Sequence, residues 1–249
     1  MSTLTSRERI ARALARQPVD RVPKYDWFWD ETWREFQRDL GPRFTAKAQA
    51  ACTGGSAYGP ETYTLWEYFD FDLMQVAWPD YKLRLIPDEI LQETDEWKIV
   101  RDGNWAELKW WKHKMGTPEH MRYGIDTPEK WAEVKHLLQP TRDRIRWEEF
   151  WPRYNRARAA GRFVCFAGVE IFESVKDVLG HEIMLKAMIR RPEWLHDVFD
   201  TYCRAHIQLF ELAEAEGMVC DGAFIYGDMA YKTGPFMSPR HYREFSFPY

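Results

Sequence analysis

The chain has 249 residues, 45% of them hydrophobic and 16% aromatic, enough for one substantial core with little left for a second domain. Its formal charge of -4 and pI near 6.0 leave no basic run of the kind that nucleic acid or an anionic membrane surface selects, so neither is expected as a partner. No stretch reaches the roughly 18 apolar residues of a membrane span, the first residues lack the apolar core of a secretion signal, and Cys52, Cys165, Cys203 and Cys220 form no CxxC pair, so the expectation is a cytoplasmic protein with reduced thiols.

Taken in chain order, Thr5-Ser6-Arg7-Glu8 is a capping box ahead of Ile10, Ala13 and Leu14, which predicts a short amphipathic helix ended by Pro18 and Pro23. Tyr25 to Trp29 is dense in strand-favouring aromatics, and Glu31 to Leu40 resumes a helical pattern stopped by Gly41-Pro42. Residues 54–60 are loop-like, and Asp72 to Pro79 reads as a second barrel strand with Trp78 at its exit. Between about 81 and 112 the pattern alternates: Lys82 to Ile86 and Trp97 to Val100 are followed by Arg101-Asp102-Gly103-Asn104, a tight turn, and then by Trp105 to Trp110. This predicts an antiparallel hairpin insertion.

Thr127-Pro128 opens a helix over Trp131, Val134, Leu137 and Leu138, and a further helix covers roughly Asp143 to Ala160. Phe163 to Gly168 is a short buried strand, followed by helices around 172–179, 183–189 and 192–216, and by a strand from Val219 to Tyr226. Strands alternating with helices predict an α/β fold, a (β/α)8 TIM-type barrel taken as one domain over 1–249 and incomplete at the C-terminus, because only four or five parallel strands can be placed. An open sheet edge of that kind would pair with another chain, so a homo-oligomer is an expected partner.

The polar cluster after the last strand carries the most chemistry. Asp228, Tyr231 and Lys232 put a carboxylate, a phenol and an amine in a strand-to-helix loop that ends at Ser238-Pro239, an N-cap followed by proline. In a barrel that end of the strands holds the active site. Asp228 is either a hydrogen-bond acceptor or proton-transfer group, or a brace for its own loop. Tyr231 and Lys232 either orient an anion or are a packed ring and a solvated amine, and a Lys232–Asp228 pair would be an ordinary salt bridge. Asp26, Trp27 and Trp78 fall at strand exits where aromatics could stack on a flat ligand or simply fill the core. Cys203 and His206 stand three apart on a helix, but two ligands make no zinc site, and no metal centre is assigned in this chain. His181-Glu182 lacks the second histidine of a zinc-protease helix, and there is no phosphate-cradling or nucleophile-elbow motif.

Three segments, Ser6-Arg7-Glu8-Arg9-Ile10 through Pro18-Val19-Asp20-Arg21-Val22-Pro23, Gly168 through Phe172-Glu173 to Leu179-Gly180, and Asp228 through Pro235 to Ser238-Pro239, together resemble the uroporphyrinogen decarboxylase superfamily, which includes cobalamin-dependent methyltransferases. The resemblance implies a (β/α)8 barrel with its pocket at the carboxyl ends of the strands, the last third of that barrel being absent here. It also implies a substrate-binding rim at Glu170, Phe172 and Glu173, against the alternative of first-turn carboxylates favoured by the helix dipole. Asp26-Trp27-Phe28-Trp29-Asp30 stands where the porphyrinogen decarboxylases carry arginines for substrate carboxylates, so the methyltransferase branch is the nearer one. Corrinoid-linked methyl transfer on a small-molecule substrate, with a corrinoid-carrying partner protein and zinc, is therefore what the resemblance implies. The rivals are porphyrinogen decarboxylation, a glycoside hydrolase with two carboxyls about 5 to 10 Å apart, and a non-catalytic truncated barrel that binds a ligand or partner.

Overall fold

A computed structural model of the chain describes residues 3–26, 28, 32, 35, 69–114 and 116–249. The chain divides into two compact units, one drawn from 1–78, 145–167 and 219–224, the other from 79–144, 168–218 and 225–249.

In the first unit, helix α1 (Ser6–Leu14) starts at the expected capping box: Thr5 Oγ1 accepts from Glu8 N at 3.2 Å and Glu8 Oε2 accepts from Thr5 N at 2.9 Å. Strand β1 (Leu73–Ala77) pairs in parallel with β6 (Phe163–Val169), Leu73 opposite Phe163, and Ile10 packs with Phe163 and Cys165. Asp72, fully buried ahead of β1, is held by Arg9 Nη1 at 2.6 Å, Arg21 Nη1 at 2.6 Å and Lys24 N at 2.7 Å. Arg9 also clasps Asp20, at 2.6 and 2.8 Å. The Arg9–Asp20–Arg21 stretch is thus a charge brace, and the nearby cleft of about 390 Å³ is lined by Arg9, Asp20, Arg21, Asp70 and Arg162, charges matched among themselves and with Asp72. The 13-residue helix α3 (Trp147–Ala159) completes the unit.

In the second unit, β2 (Glu89–Glu93), β3 (Trp97–Arg101), β4 (Glu107–Trp111) and β5 (Glu119–Arg122) form an antiparallel sheet in that order. The expected turn is there: Asp102 Oδ1 accepts from Asn104 N at 2.8 Å and Ala106 N at 2.9 Å, and Gly103 sits so close to the Arg84 carbonyl that a Cβ would come within 2.1 Å of its oxygen. Lys82 to Ile86 is not a strand, and the sheet runs on past 112 to β5. Helix α2 (Pro128–Val134) is capped by Thr127. The long helices α4 (Ile171–Arg190) and α5 (Pro192–Ala215) hold most of the core, with Phe172, Val175, Leu179, Leu195, Phe199 and Tyr202 fully buried. Arg144 is buried and donates to four backbone carbonyls, those of Asp80, Lys82, Leu137 and Gln139. A guanidinium with five donors suits that task.

The barrel expectation is overturned. The parallel strands described are three, in the order β1, β6, β7 (Gly222–Tyr226), and the remaining strands pair antiparallel in separate sheets, the last of them the two-residue pair β8 (Ala230–Tyr231) and β9 (Gly234–Pro235). Asp221 N donates to Val164 O and Glu170 N to Tyr226 O, so β7 runs parallel to β6. Tyr25, Asp26 and Phe28 are not in a strand. The expected loop at 54–60, most of the 31–40 helix and Cys52 lie outside the described residues. Cys165, Cys203 and Cys220 are free thiols. No helix among the described residues is long and apolar enough to cross a membrane.

Candidate functional site

The second unit gathers a cluster of ionisable side chains where β6 passes into α4. Glu170 follows the strand directly, and its backbone N–H binds Tyr226 O at 2.6 Å. Its side chain caps α4: Oε2 accepts from Phe172 N at 2.6 Å and Oε1 from Ser246 Oγ at 2.7 Å. Gly227 lies against it so tightly that an added Cβ would come within 2.8 Å of the Glu170 Cβ. Burial raises the proton affinity of this carboxyl, and both of its oxygens are occupied, so Glu170 fixes the loop to the helix.

One turn further, Glu173 is only 5% exposed. Its Oε1 meets Lys176 Nζ at 2.8 Å, while Oε2 is buried without a hydrogen-bond partner among the described residues. Burial pushes this carboxyl above the usual carboxylate range; Asp177 and Asp228 add to the effect and Lys176 opposes it. Lys176 also reaches Asp177 at 3.3 Å.

Gly180 then breaks α4 with φ 73° and ψ 158°, and a Cβ there would come within 2.3 Å of the Tyr123 ring. Tyr123 is hydrogen-bonded to His120 on β5. His181, next along, stacks on Phe236 with centroids 4.3 Å apart, Phe172 lies 6.1 Å away, and His181 Nε2 is a second buried atom without a partner among the described residues. Burial, then Lys176 and His120, lower its proton affinity, which favours the neutral imidazole.

Phe236 belongs to the loop of the third motif. It is tied by its N–H to Met229 O at 3.1 Å, and Ser238 caps the next turn by accepting from His241 N at 3.2 Å. On that loop Asp228 is exposed, Tyr231 is 58% exposed with its ring 6.2 Å from Phe236, and Lys232 Nζ lies 5.8 Å from the Tyr231 centroid. Of the predicted residues, Glu170, Phe172, Glu173, Asp228, Tyr231 and Lys232 fall in this unit, with Glu173 and Asp228 in electrostatic reach of each other. Asp26, exposed, and Trp78, whose indole donates to Gln75 Oε1 at 2.7 Å, belong to the first unit; Trp27 lies outside the described residues.

Lys176, His181, His120 and Tyr123 were not anticipated. Gly180-His181 inside an otherwise regular apolar helix pattern was the one available signal, a glycine that invites a kink. The Cys203/His206 pair does not converge. Cys203 Sγ donates to Tyr249 O at 3.2 Å, and His206, instead of facing solvent, stacks on Tyr81 at 3.6 Å and meets Ser174 Oγ at 3.1 Å, burial driving its proton affinity down to about 3. Among the described residues no three His, Cys, Asp or Glu side chains come together to hold a metal ion, so the zinc that the resemblance implies finds no donor set there. No family model matches the chain, and neither a curated protein nor a solved structure matches it.

Proposed function

We propose that the chain is an enzyme acting on a small molecule, with Glu173 as proton donor and Asp228 as an acceptor for the substrate. The reading is supported above all by one observation: Glu173 is a buried carboxyl whose Oε1 is paired with Lys176 and whose Oε2 has no partner among the described residues. Burial shifts a carboxyl of that kind towards its protonated form, and Oε2 is the oxygen left to carry the proton. The carboxylate left behind is stabilised by the ammonium 2.8 Å away.

Of the reactions that the motifs imply, decarboxylation uses these groups directly. Loss of CO2 from a substrate carboxylate leaves an electron pair on carbon; that carbon takes the proton from Oε2, and Glu173 is reprotonated from water. Atoms and charge balance without oxidant or reductant. Corrinoid-linked methyl transfer is the second reading. It is favoured by the exposure of Tyr231 and Lys232, which would meet a partner protein rather than a buried substrate.

The test is a panel of carboxylic acids, tetrapyrrole polycarboxylates included, incubated in D2O and followed by NMR for CO2 release and deuterium at the vacated carbon. Glu173→Gln should slow turnover by roughly 10²-fold or more. Full activity in Glu173→Gln, or no turnover of any acid, removes the decarboxylase reading. Absorbance changes of methylcobalamin on incubation with the protein would support the second.

A further inference from the structure

We infer that the cleft of the first unit binds the phosphate of a small phosphorylated polyol, with Arg162 as the residue that receives it. The cleft and Glu173 belong to different units, so this site stands or falls independently of the decarboxylase reading.

Space is the first argument. The cleft holds about 390 Å³, inside the range of roughly 300 to 1,000 Å³ that small-molecule sites occupy. Thr3, Asp20, Asp70 and Arg162 line it with hydroxyl, carboxylate and guanidinium groups, and no aromatic side chain is among its described walls. A nucleobase or another flat ring would have nothing to stack on there. The hydroxyls of a compact polyol would find acceptors in Asp20 and Thr3.

The second argument is where the free donors lie. Arg9 is 4% exposed and engaged at every nitrogen: Nε and Nη2 bind Asp20, Nη1 binds Asp72, and Nη2 also binds Leu4 O. Arg162 is the opposite case. Its hydrogen bonds among the described residues all leave from Nη1, to Asp70 Oδ1 at 3.0 Å, Ser6 Oγ at 3.3 Å and Phe71 O at 2.5 Å. Nε and Nη2 form an edge that can hold an oxyanion through two parallel bonds, and they have no acceptor among the described residues although the side chain is only 14% exposed.

The third argument is charge. Four cations, Arg9, Arg21, Lys24 and Arg162, share three carboxylates, Asp20, Asp70 and Asp72, so one positive charge is left over. Glu8, a further carboxylate at this end of α1, is folded onto Thr5 with Arg12 acting on it. Asp70 is the loosest member of the network. Its side chain is 56% exposed between Arg21 at 2.8 Å and Arg162 at 3.0 Å, and its φ of 52° lies in the left-handed region. It already occupies one end of the Arg162 guanidinium as an internal anion, so a phosphate on the other end would feel its repulsion.

The test is binding at equilibrium, by calorimetry and by nitrogen NMR of Arg162 Nε, with glycerol 3-phosphate, inorganic phosphate and glycerol as probes. Glycerol 3-phosphate should bind roughly tenfold more tightly than inorganic phosphate, glycerol should not bind measurably, and added salt should weaken the ester. Arg162→Gln should weaken the ester by at least about tenfold. Arg162 also holds the Phe71 carbonyl, so Asp70→Asn supplies a second test that leaves that bond in place. Asparagine tolerates the left-handed φ, and loss of the neighbouring negative charge should tighten phosphate and ester alike by roughly threefold. Glycerol bound as tightly as its ester, binding weakened or unchanged by Asp70→Asn, or an Arg162 Nε resonance that does not move overturns the inference. Inorganic phosphate bound as tightly as the ester would show an adventitious ion only and overturns it too. None of these outcomes bears on Glu173, whose test is the turnover of acids.

Discussion

Two buried carboxylates in this protein face opposite ways. Asp72 is surrounded by donors: burial works against its charge, but bonds from Arg21, Lys24 N, Ser6 and Arg9 outweigh it and hold its proton affinity below the ordinary value of 3.8. Its contribution to stability is therefore present above pH 3.8 and is lost as pH falls through the lower folded value. Asp72→Asn leaves two guanidiniums facing an amide and is expected to cost about 3 kcal/mol at neutral pH, the loss shrinking in acid. Glu173 has its proton affinity raised above the ordinary 4.5, so whatever it contributes is present below pH 4.5 and is lost as pH rises through the folded value. Urea melts across pH should accordingly show wild type losing stability relative to Glu173→Gln as pH climbs, and a difference that stays flat would mean that Glu173 is no more protonated folded than unfolded.

Elements show which parts of a structure a sequence can carry. The caps at Thr5, Thr127 and Ser238 and the Asp102 turn all lie where the residues predicted them, because each depends on contacts within a few positions. Strands β1, β6 and β7 were also legible as apolar runs. The kink in α4 was partly legible: the sequence suggested two helices with Gly180 between them, and the chain forms them as segments that meet at a glycine whose φ of 73° other residues rarely adopt. Its reason was not local, since the Tyr123 ring that fills the missing side-chain space comes from 57 positions earlier in the chain. The site's extra residues were hidden likewise: Lys176 and His181 acquire their roles from Glu173, Phe236 and His120. Gly180→Ala should cost more than about 1 kcal/mol in chemical denaturation, through both the φ value and the clash. Tyr123→Ala in the same background should recover part of the loss, since it removes the atoms 2.3 to 2.7 Å from the new methyl group. Failure to recover any would assign the whole cost to the backbone.

At the scale of the whole molecule, barrel closure was the expectation that failed, and it failed because closure is a property of strand pairing that no local pattern encodes. Alternating strands and helices are compatible with any number of parallel neighbours. The described sheet ends at β7, and no strand lies along the outer side of β7 among the described residues. Gly222 to Tyr226 contains no charged residue and no proline, with Ile225 56% exposed. Proteins usually blunt such an edge with lysine, proline or a bulge, because unpaired N–H and C=O groups beside apolar side chains template further pairing. Concentration-dependent association is therefore expected of this chain, visible in light scattering or sedimentation. Ile225→Lys places a charge on the edge at an already exposed position, so it should change stability by no more than about 0.5 kcal/mol while reducing the association. If the lysine variant associates as strongly as the parent at equal stability, the contact lies on another surface and the β7 edge is protected by something other than its side chains.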